Sequence, residues 1–594
     1  MRLQAVDWAI VAAYLLASLL IGLLVSRRAG ASASSFFLAE RGMPWWLLGT
    51  SMVATTFSTD TPNLVADIVR THGVAGNWVW WAFLLTGMLT TFVYARLWRR
   101  SAAPTDVAFY EVRYSGRPAS FLRGFRALYL GVFFNVMIMA SVTLATIKIG
   151  GVLLGLDPLT TVCVGAGVTL VYSMLGGLQG VLLTDFFQFL MAMAGSLAAA
   201  WYALRLPQVG GLGTLLQHPH VAERLSLVPD FSDPSQALAL FVIPLAVQWW
   251  STWYPGSEPG GGGYVAQRML AAKNEGHAQA ATLLFNVAHY ALRPWPWIVV
   301  ALASLLVFPD LRALRAAFPH LDPAVVQHDL AYPAMLTFLP AGLLGLVVAS
   351  LLAAYMSTIS THLNWGASYV VHDVWQRFVR PQASQAELVR VGRLATAGLM
   401  VAAAALSLLL SHALQAFQIM LQIGAGTGLL FVLRWFWWRV NAAAEITAMV
   451  VSLAVAAWFQ FGHARVFSAA PPEWQALVLG VGATTLCWVL AAYLGPPTDE
   501  RRLRDFYRAI RPGGPGWEEV RRRAALDGEP LPPARPQLGL KLACAATGCV
   551  AVYAALFSAG SALYGRAAAA ATLALLSALA SAGVFVLWRR VRAE

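Results

Sequence analysis

Five hydroxyl side chains fall within one apolar stretch, ASLLAAYMSTIST: Ser350, Ser357, Thr358, Ser360 and Thr361. If the chain from about 336 to 363 is helical, Ala354, Ser357, Thr358 and Thr361 stand at i, i+3, i+4 and i+7 and share a face. Lipid offers a hydroxyl no partner, whereas a small hard cation does. Sodium takes several oxygen ligands and needs little net charge, by the logic that governs calcium and magnesium. A single helical Ser or Thr is more simply explained by a bond back to its own i−4 carbonyl. That explanation weakens for four on adjoining faces. Ser350, a turn before Ala354, reads as ordinary helix packing.

The complement to a row of hydroxyls is a set of free carbonyls, and a broken helix supplies them. In SMVATTFSTDTPNL, polar residues crowd from Ser51 to Thr61 just before Pro62. Here the segment around Ala54 and Phe57 would release its carbonyls. Asp60 lies at membrane depth, where a charge costs at least about 2.5–3.5 kcal/mol, so it must face a cavity or a partner. A second break is written in QWWSTWYPGSEPGGGGYVAQR, whose Pro and Gly cannot stay helical. Irregular backbone at that depth lines a cavity or is covered by protein. Asp185, in YSMLGGLQGVLLTDFFQF, is another intramembrane acid. It reads as a cap or interface residue, or as the carboxylate of a second cation site with Ser357, Ser360 and Thr361.

These residues need a membrane scaffold, and the composition supplies it. Of 594 residues, 58% are hydrophobic and 12% charged, against roughly 25% charged in soluble domains. Apolar runs recur at 6–26, 45–69, 75–98, 126–150, 158–176, 181–204, 238–254, 278–307, 334–363, 394–411, 415–434, 443–461, 475–494, 541–559 and 568–588. The expectation is therefore an all-α polytopic membrane protein with about 15 transmembrane segments. The two breaks lie five spans apart. That separation predicts inverted five-helix repeats, about 45–204 and 238–434, after one leading helix. The membrane domain covers 1–494, a basic linker 495–540, and two further helices 541–594. The linker reads as a solvated cytoplasmic tether with a short helix.

The net charge of +13 does not point to nucleic acid. With the N-terminus outside, the arginine clusters all fall on one side, which the positive-inside rule makes the cytoplasm, with the C-terminus there too. The first segment, preceded by Asp7 and lacking an A-x-A-like site, reads as a retained helix of an inner-membrane protein. The four cysteines match no metal spacing. No H-E-x-x-H or G-x-S-x-G occurs, so an enzyme is not expected. No obligate protein partner is evident.

YSMLGGLQGVLLTDFFQ resembles a signature of the sodium:solute symporter family, which includes sodium/sugar, sodium/proline and sodium/sialic acid cotransporters. YVAQRMLAAKNEGHAQAA at 264–281 is similar to that family's second signature, FFLAERGMPWWLLGTSMVATTFS to its opening helix, and AAYMSTIST to its sodium helix. The resemblance implies a LeuT-like fold with extra C-terminal helices, and sodium-coupled uptake of a small polar organic solute by alternating access. It implies a first sodium site from the carbonyls of Ala54, Phe57 and Ala354 and the hydroxyls of Ser357 and Thr358. In some members a second site matches Asp185, Ser357, Ser360 and Thr361, so one sodium ion or two would couple. A proton-coupled symporter of the same fold and a non-transporting solute sensor are the alternatives.

The solute is expected at mid-membrane between the breaks, near Thr56, Asp60, Thr61, Trp80, Trp249, Tyr264, Arg293, and Gln418 or Gln422. Arg293 has three readings: it meets an anionic solute, pairs with Asp60, or snorkels. VWWAF at 79–83 stands where the sugar transporters present a polar pair, which speaks against a close sugar mimic.

Overall fold

The computed structural model describes residues 3–29, 32–252, 258–319, 321, 323, 326–410, 424, 426–467, 471–533 and 537–592, and among these the architecture is helical throughout. Eleven of the described helices are long and apolar enough to cross a bilayer. Four expected spans are not among them, each for an identifiable reason. The span at 45–69 is broken into Trp45–Thr55 and Asp60–His72. The runs at 158–176 and 238–254 form shorter apolar helices, Pro158–Met174 and Pro234–Ala246. Half of 415–434 lies outside the described residues.

Both expected breaks are present. The first occupies residues 56–59. In the second, the helical backbone ends in a single turn, Gln248–Trp250, and resumes as Gly263–Ala271. A third bend divides the long helix Pro158–Ala203 at Gly177, whose φ of 51° and ψ of −162° suit a residue without a Cβ.

The helix carrying the hydroxyl row runs Leu343–Tyr369 and continues as a wider π-helical turn to Val379. It therefore starts later than the apolar run at 334–363 suggests. Pro340 and Gly342 (φ 82°) stop an earlier start, and the Asp7 carboxylate fixes the new one. Its Oδ1 accepts from the Gly342 and Gly345 amides at 2.7 and 2.8 Å. A carboxylate there satisfies orphan N–H groups and complements the helix dipole. Small residues let neighbours approach closely: a Cβ on Gly195 would meet Ser350 Oγ at 2.1 Å, and one on Gly345 would meet Asp7.

The linker is packed and not a solvated tether. Helix Glu500–Ile510 buries Leu503, Phe506, Tyr507 and Ile510, which recur at i, i+3, i+4 and i+7 beneath the arginines that dominate its composition. Trp517 is fully buried and donates from Nε1 to the Trp435 carbonyl at 2.9 Å. Arg113 stacks over both Phe506 and Trp517, 5.3 and 5.0 Å from their ring centres. The C-terminal helices Leu538–Leu563 and Ala567–Arg592 pack as a hairpin. Tyr553 donates to the Trp81 carbonyl at 2.8 Å, and Trp295 donates to the Leu556 carbonyl at 3.0 Å.

Candidate functional site

The first break leaves the last carbonyls of Trp45–Thr55 without a full set of helical partners. Phe57 N–H turns back to the Val53 and Ala54 carbonyls, both at 3.0 Å. The Thr55 carbonyl accepts instead from Thr358 Oγ1 at 2.8 Å, while the same hydroxyl lies 3.1 Å from the Ala354 carbonyl. Thr55 Oγ1 stands 3.0 Å from Thr361 Oγ1. The hydroxyl row thus docks on the broken helix. The structure brings Ala54, Phe57, Ala354 and Thr358 to one place, all buried, and adds Thr55, which sequence reasoning missed. A buried carbonyl carries no sequence signal beyond the break itself.

Ser357 sits beside this group but points elsewhere: its Oγ donates to Asp185 Oδ1 at 2.7 Å. The other oxygen, Oδ2, accepts from Ser51. Arg268 completes the cluster. Its Nη2 lies 3.8 Å from Asp185 Oδ2, and it donates to Thr361 Oγ1 at 2.7 Å and to Ser51 Oγ at 3.1 Å. Both charged side chains are fully buried. Ser360 Oγ donates to the Ser357 carbonyl of its own helix at 3.1 Å. Of the four residues expected around a second cation, Asp185 and Ser357 touch, Thr361 joins through Arg268, and Ser360 is buried with its hydroxyl on its own helix. In the sequence Arg268 stands only within the YVAQRMLAAK motif. Its role follows from the helix Gly263–Ala271 aiming it at Asp185.

Next to these groups a cavity opens, lined by Thr55, Thr56, Asp60, Thr61, Trp80, His289, Tyr290 and Arg293, among others, and reaching Asp67, Lys148 and Asp329. Lys148 and Asp329 pair at 2.9 Å. At its deep end Arg293 donates to Thr56 Oγ1 at 3.1 Å and to the Val53 carbonyl at 3.4 Å, with His289 Nε2 at 3.2 Å. His289 Nδ1 lies 3.0 Å from Thr56 Oγ1. Trp80 stacks on Tyr290 with ring centres 6.0 Å apart. Arg293 therefore points into the cavity and does not snorkel. One oxygen of Asp60, Oδ1, and Nε of Arg293 have no hydrogen-bond partner among the described residues.

The local chain explains why His289 and Arg293 reach this wall. Pro294 has no N–H and clashes with a helical carbonyl four residues back, so the turn Ala288–Leu292 widens to π geometry. Such turns recur at functional sites. Two expected residues stand apart from the cavity. Trp249 follows the bend at Val247, and its carbonyl accepts from Thr86. Tyr264 is fully buried, 6.0 Å from His362 between ring centres. Gln418 and Gln422 lie outside the described residues.

Comparison with known proteins fits this geometry. Residues 36–452 match the model of the Sodium:solute symporter family. A sodium/glucose cotransporter of Vibrio parahaemolyticus is 26% identical over 479 residues, which span 77% of this chain and 86% of that protein. A sodium/mannose cotransporter of Bos taurus is 26% identical over 486 residues, 77% of this chain and 79% of that protein. Among solved structures, a Na+-coupled sialic acid symporter in a substrate-bound outward-open state superposes with a TM-score of 0.65 at 20% identity. That match covers 84% of this chain and 99% of the symporter, so the fold is shared.

Proposed function

The chain belongs to the sodium:solute symporter family, and from this premise we propose that Thr358 and the Ala54–Phe57 break hold the sodium ion that drives uptake of a small polar organic solute. The protein is a multi-pass membrane transporter coupled to sodium. The observation that carries the site is the meeting of Thr358 Oγ1 with the Thr55 and Ala354 carbonyls across two helices. A sodium ion there would be held by oxygens of Ala54, Phe57, Ala354 and Thr358, with the Thr55 carbonyl added and Ser357 joining by turning its hydroxyl from Asp185. By bridging the broken helix to Leu343–Tyr369, it would favour the state that binds solute.

The stoichiometry we infer is one sodium. Arg268 already supplies a positive charge to Asp185, and a second cation there would have to displace or approach a buried guanidinium. One charge crossing about 100 mV is worth roughly 2.3 kcal/mol, and a tenfold gradient adds about 1.4. One ion then suffices for a solute gradient of several hundredfold.

The solute site we propose comprises Thr56, Asp60, Thr61, Trp80 and Arg293, extended by His289 and Tyr290. Asp60 and Arg293 offer an acceptor and a donor not saturated by protein, and the Trp80–Tyr290 stack offers a flat apolar wall. Relatives carry glucose or mannose in their names, and a polar solute with several hydroxyls suits this mixed lining, while Trp80 of VWWAF in its wall sets it apart from a close sugar mimic. We place the protein in the inner membrane with its arginine-rich face and C-terminus in the cytoplasm. A library of polar solutes, screened for sodium-dependent uptake into proteoliposomes, tests the reading. Uptake driven by a pH gradient and indifferent to sodium would overturn it.

A further inference from the structure

Below the solute cavity lies a second, smaller chamber. Phe83 and Tyr290 wall both of them. The lower chamber is lined on its far side by Thr86, Thr90, Asn286 and Glu258. Glu258 also borders a third hollow that contains Arg126, and there the two side chains pair at 2.8 Å with only 5% and 4% of their surface exposed. The first two spaces share the rings of Phe83 and Tyr290, the second and third share Glu258, and Phe83, Thr86 and Thr90 of the second lead along Val74–Ser101 toward Arg96, Arg99 and Arg100. We propose that the lower chamber is the solute's exit station and that Arg126–Glu258 is the gate that closes it. The proposal rests on the transport reading above.

The polar lining fits a route and not a packed core. Oδ1 of Asn286 and Oε2 of Glu258 are buried without a hydrogen-bond partner among the described residues, which is costly unless a solute or water visits. Thr86 and Thr90 add hydroxyls along the same wall. Glu258 also sits at a hinge. Gly260 and Gly261 follow it at φ 85° and 94°, values that L side chains rarely adopt. A Cβ on Gly261 would meet Met269 at 2.5 Å. Beyond the hinge, the Gly263 amide donates to Asp106 at 2.7 Å, and Asp106 also accepts from Tyr369 on the hydroxyl-bearing helix. The second break is thereby tied to the helix that carries Thr358, so ion binding and gate position share a mechanical connection.

The test uses the full chain with Cys163, Cys487, Cys544 and Cys549 replaced, carrying Thr90→Cys, in inside-out vesicles treated with a membrane-impermeant maleimide. Sodium is expected to slow labelling of the introduced thiol roughly tenfold relative to potassium. Glu258→Gln is expected to abolish that protection, and the charge exchange R126E/E258R to restore it. Protection that persists unchanged in Glu258→Gln, or a thiol that no condition labels, overturns the proposal. If Glu258→Gln fails to fold, the charge-exchanged protein decides: protection restored supports the gate, and its absence in a folded protein overturns it. Labelling raised by Glu258→Gln but indifferent to sodium in the parent supports the gate while contradicting sodium coupling.

Discussion

The guanidinium of Arg268 stands 3.8 Å from the carboxylate of Asp185, with Ser51 bridging them and Thr361 accepting from the guanidinium, and the whole cluster is buried. This is where a second sodium ion was expected from the sequence. Removing one member of such a pair leaves an uncompensated charge in a low dielectric, which costs about 3–5 kcal/mol. Arg268→Gln is therefore expected to lower the apparent melting temperature in detergent sharply, and D185N/R268Q to recover most of the loss. Sodium activation of transport should show a Hill slope near one. A slope near two would return an ion to Asp185.

The docked linker makes a separate prediction. Trp517→Ala removes a fully buried ring and leaves the Trp435 carbonyl without its donor, and large-to-small changes of this kind cost about 3–5 kcal/mol. A correspondingly lower melting temperature is expected. A solvated tether would tolerate the change within about 0.5 kcal/mol.

Outside the spans, Glu111 gives a pH signature. Burial raises its pKa, but hydrogen bonds from Arg377, Ser120 and Arg123 outweigh it and hold the group at about 2 against an ordinary 4.5. A carboxylate depressed in the folded state stabilises fully above its unfolded pKa, and that contribution fades as pH falls through the folded one. The stability advantage of the parent over Glu111→Gln is thus expected to be constant above about pH 5 and to shrink between there and pH 2. Glu111 is only partly buried, so solvent screening keeps the effect small. A difference that does not vary across this window would contradict the assignment.

Much of the architecture was legible because bilayer thickness and backbone satisfaction constrain it tightly. The apolar runs, the break at Ala54–Asp60 and the break in the Gly-rich run all follow from residue type. The meeting of Thr358 with the first break was legible for the same reason. What the sequence hid was orientation. Whether Ser357 turns to the ion or to Asp185 depends on helix rotation, and Arg268 is decided by the pitch of Gly263–Ala271. His289 reaches the cavity only because Pro294 widens the preceding turn. The linker misled through composition: its arginines are numerous, but the four apolar residues beneath them set its placement.

Direct sodium binding tests the central claim most plainly. On purified protein, binding of radioactive sodium is compared for the parent, Thr358→Ala and Thr358→Ser. Losing one oxygen ligand is expected to raise the half-saturating sodium concentration about tenfold or more, equivalent to about 1.4 kcal/mol, while Thr358→Ser, which keeps the oxygen, binds close to the parent. Sodium binding unchanged in a folded Thr358→Ala protein would contradict the account.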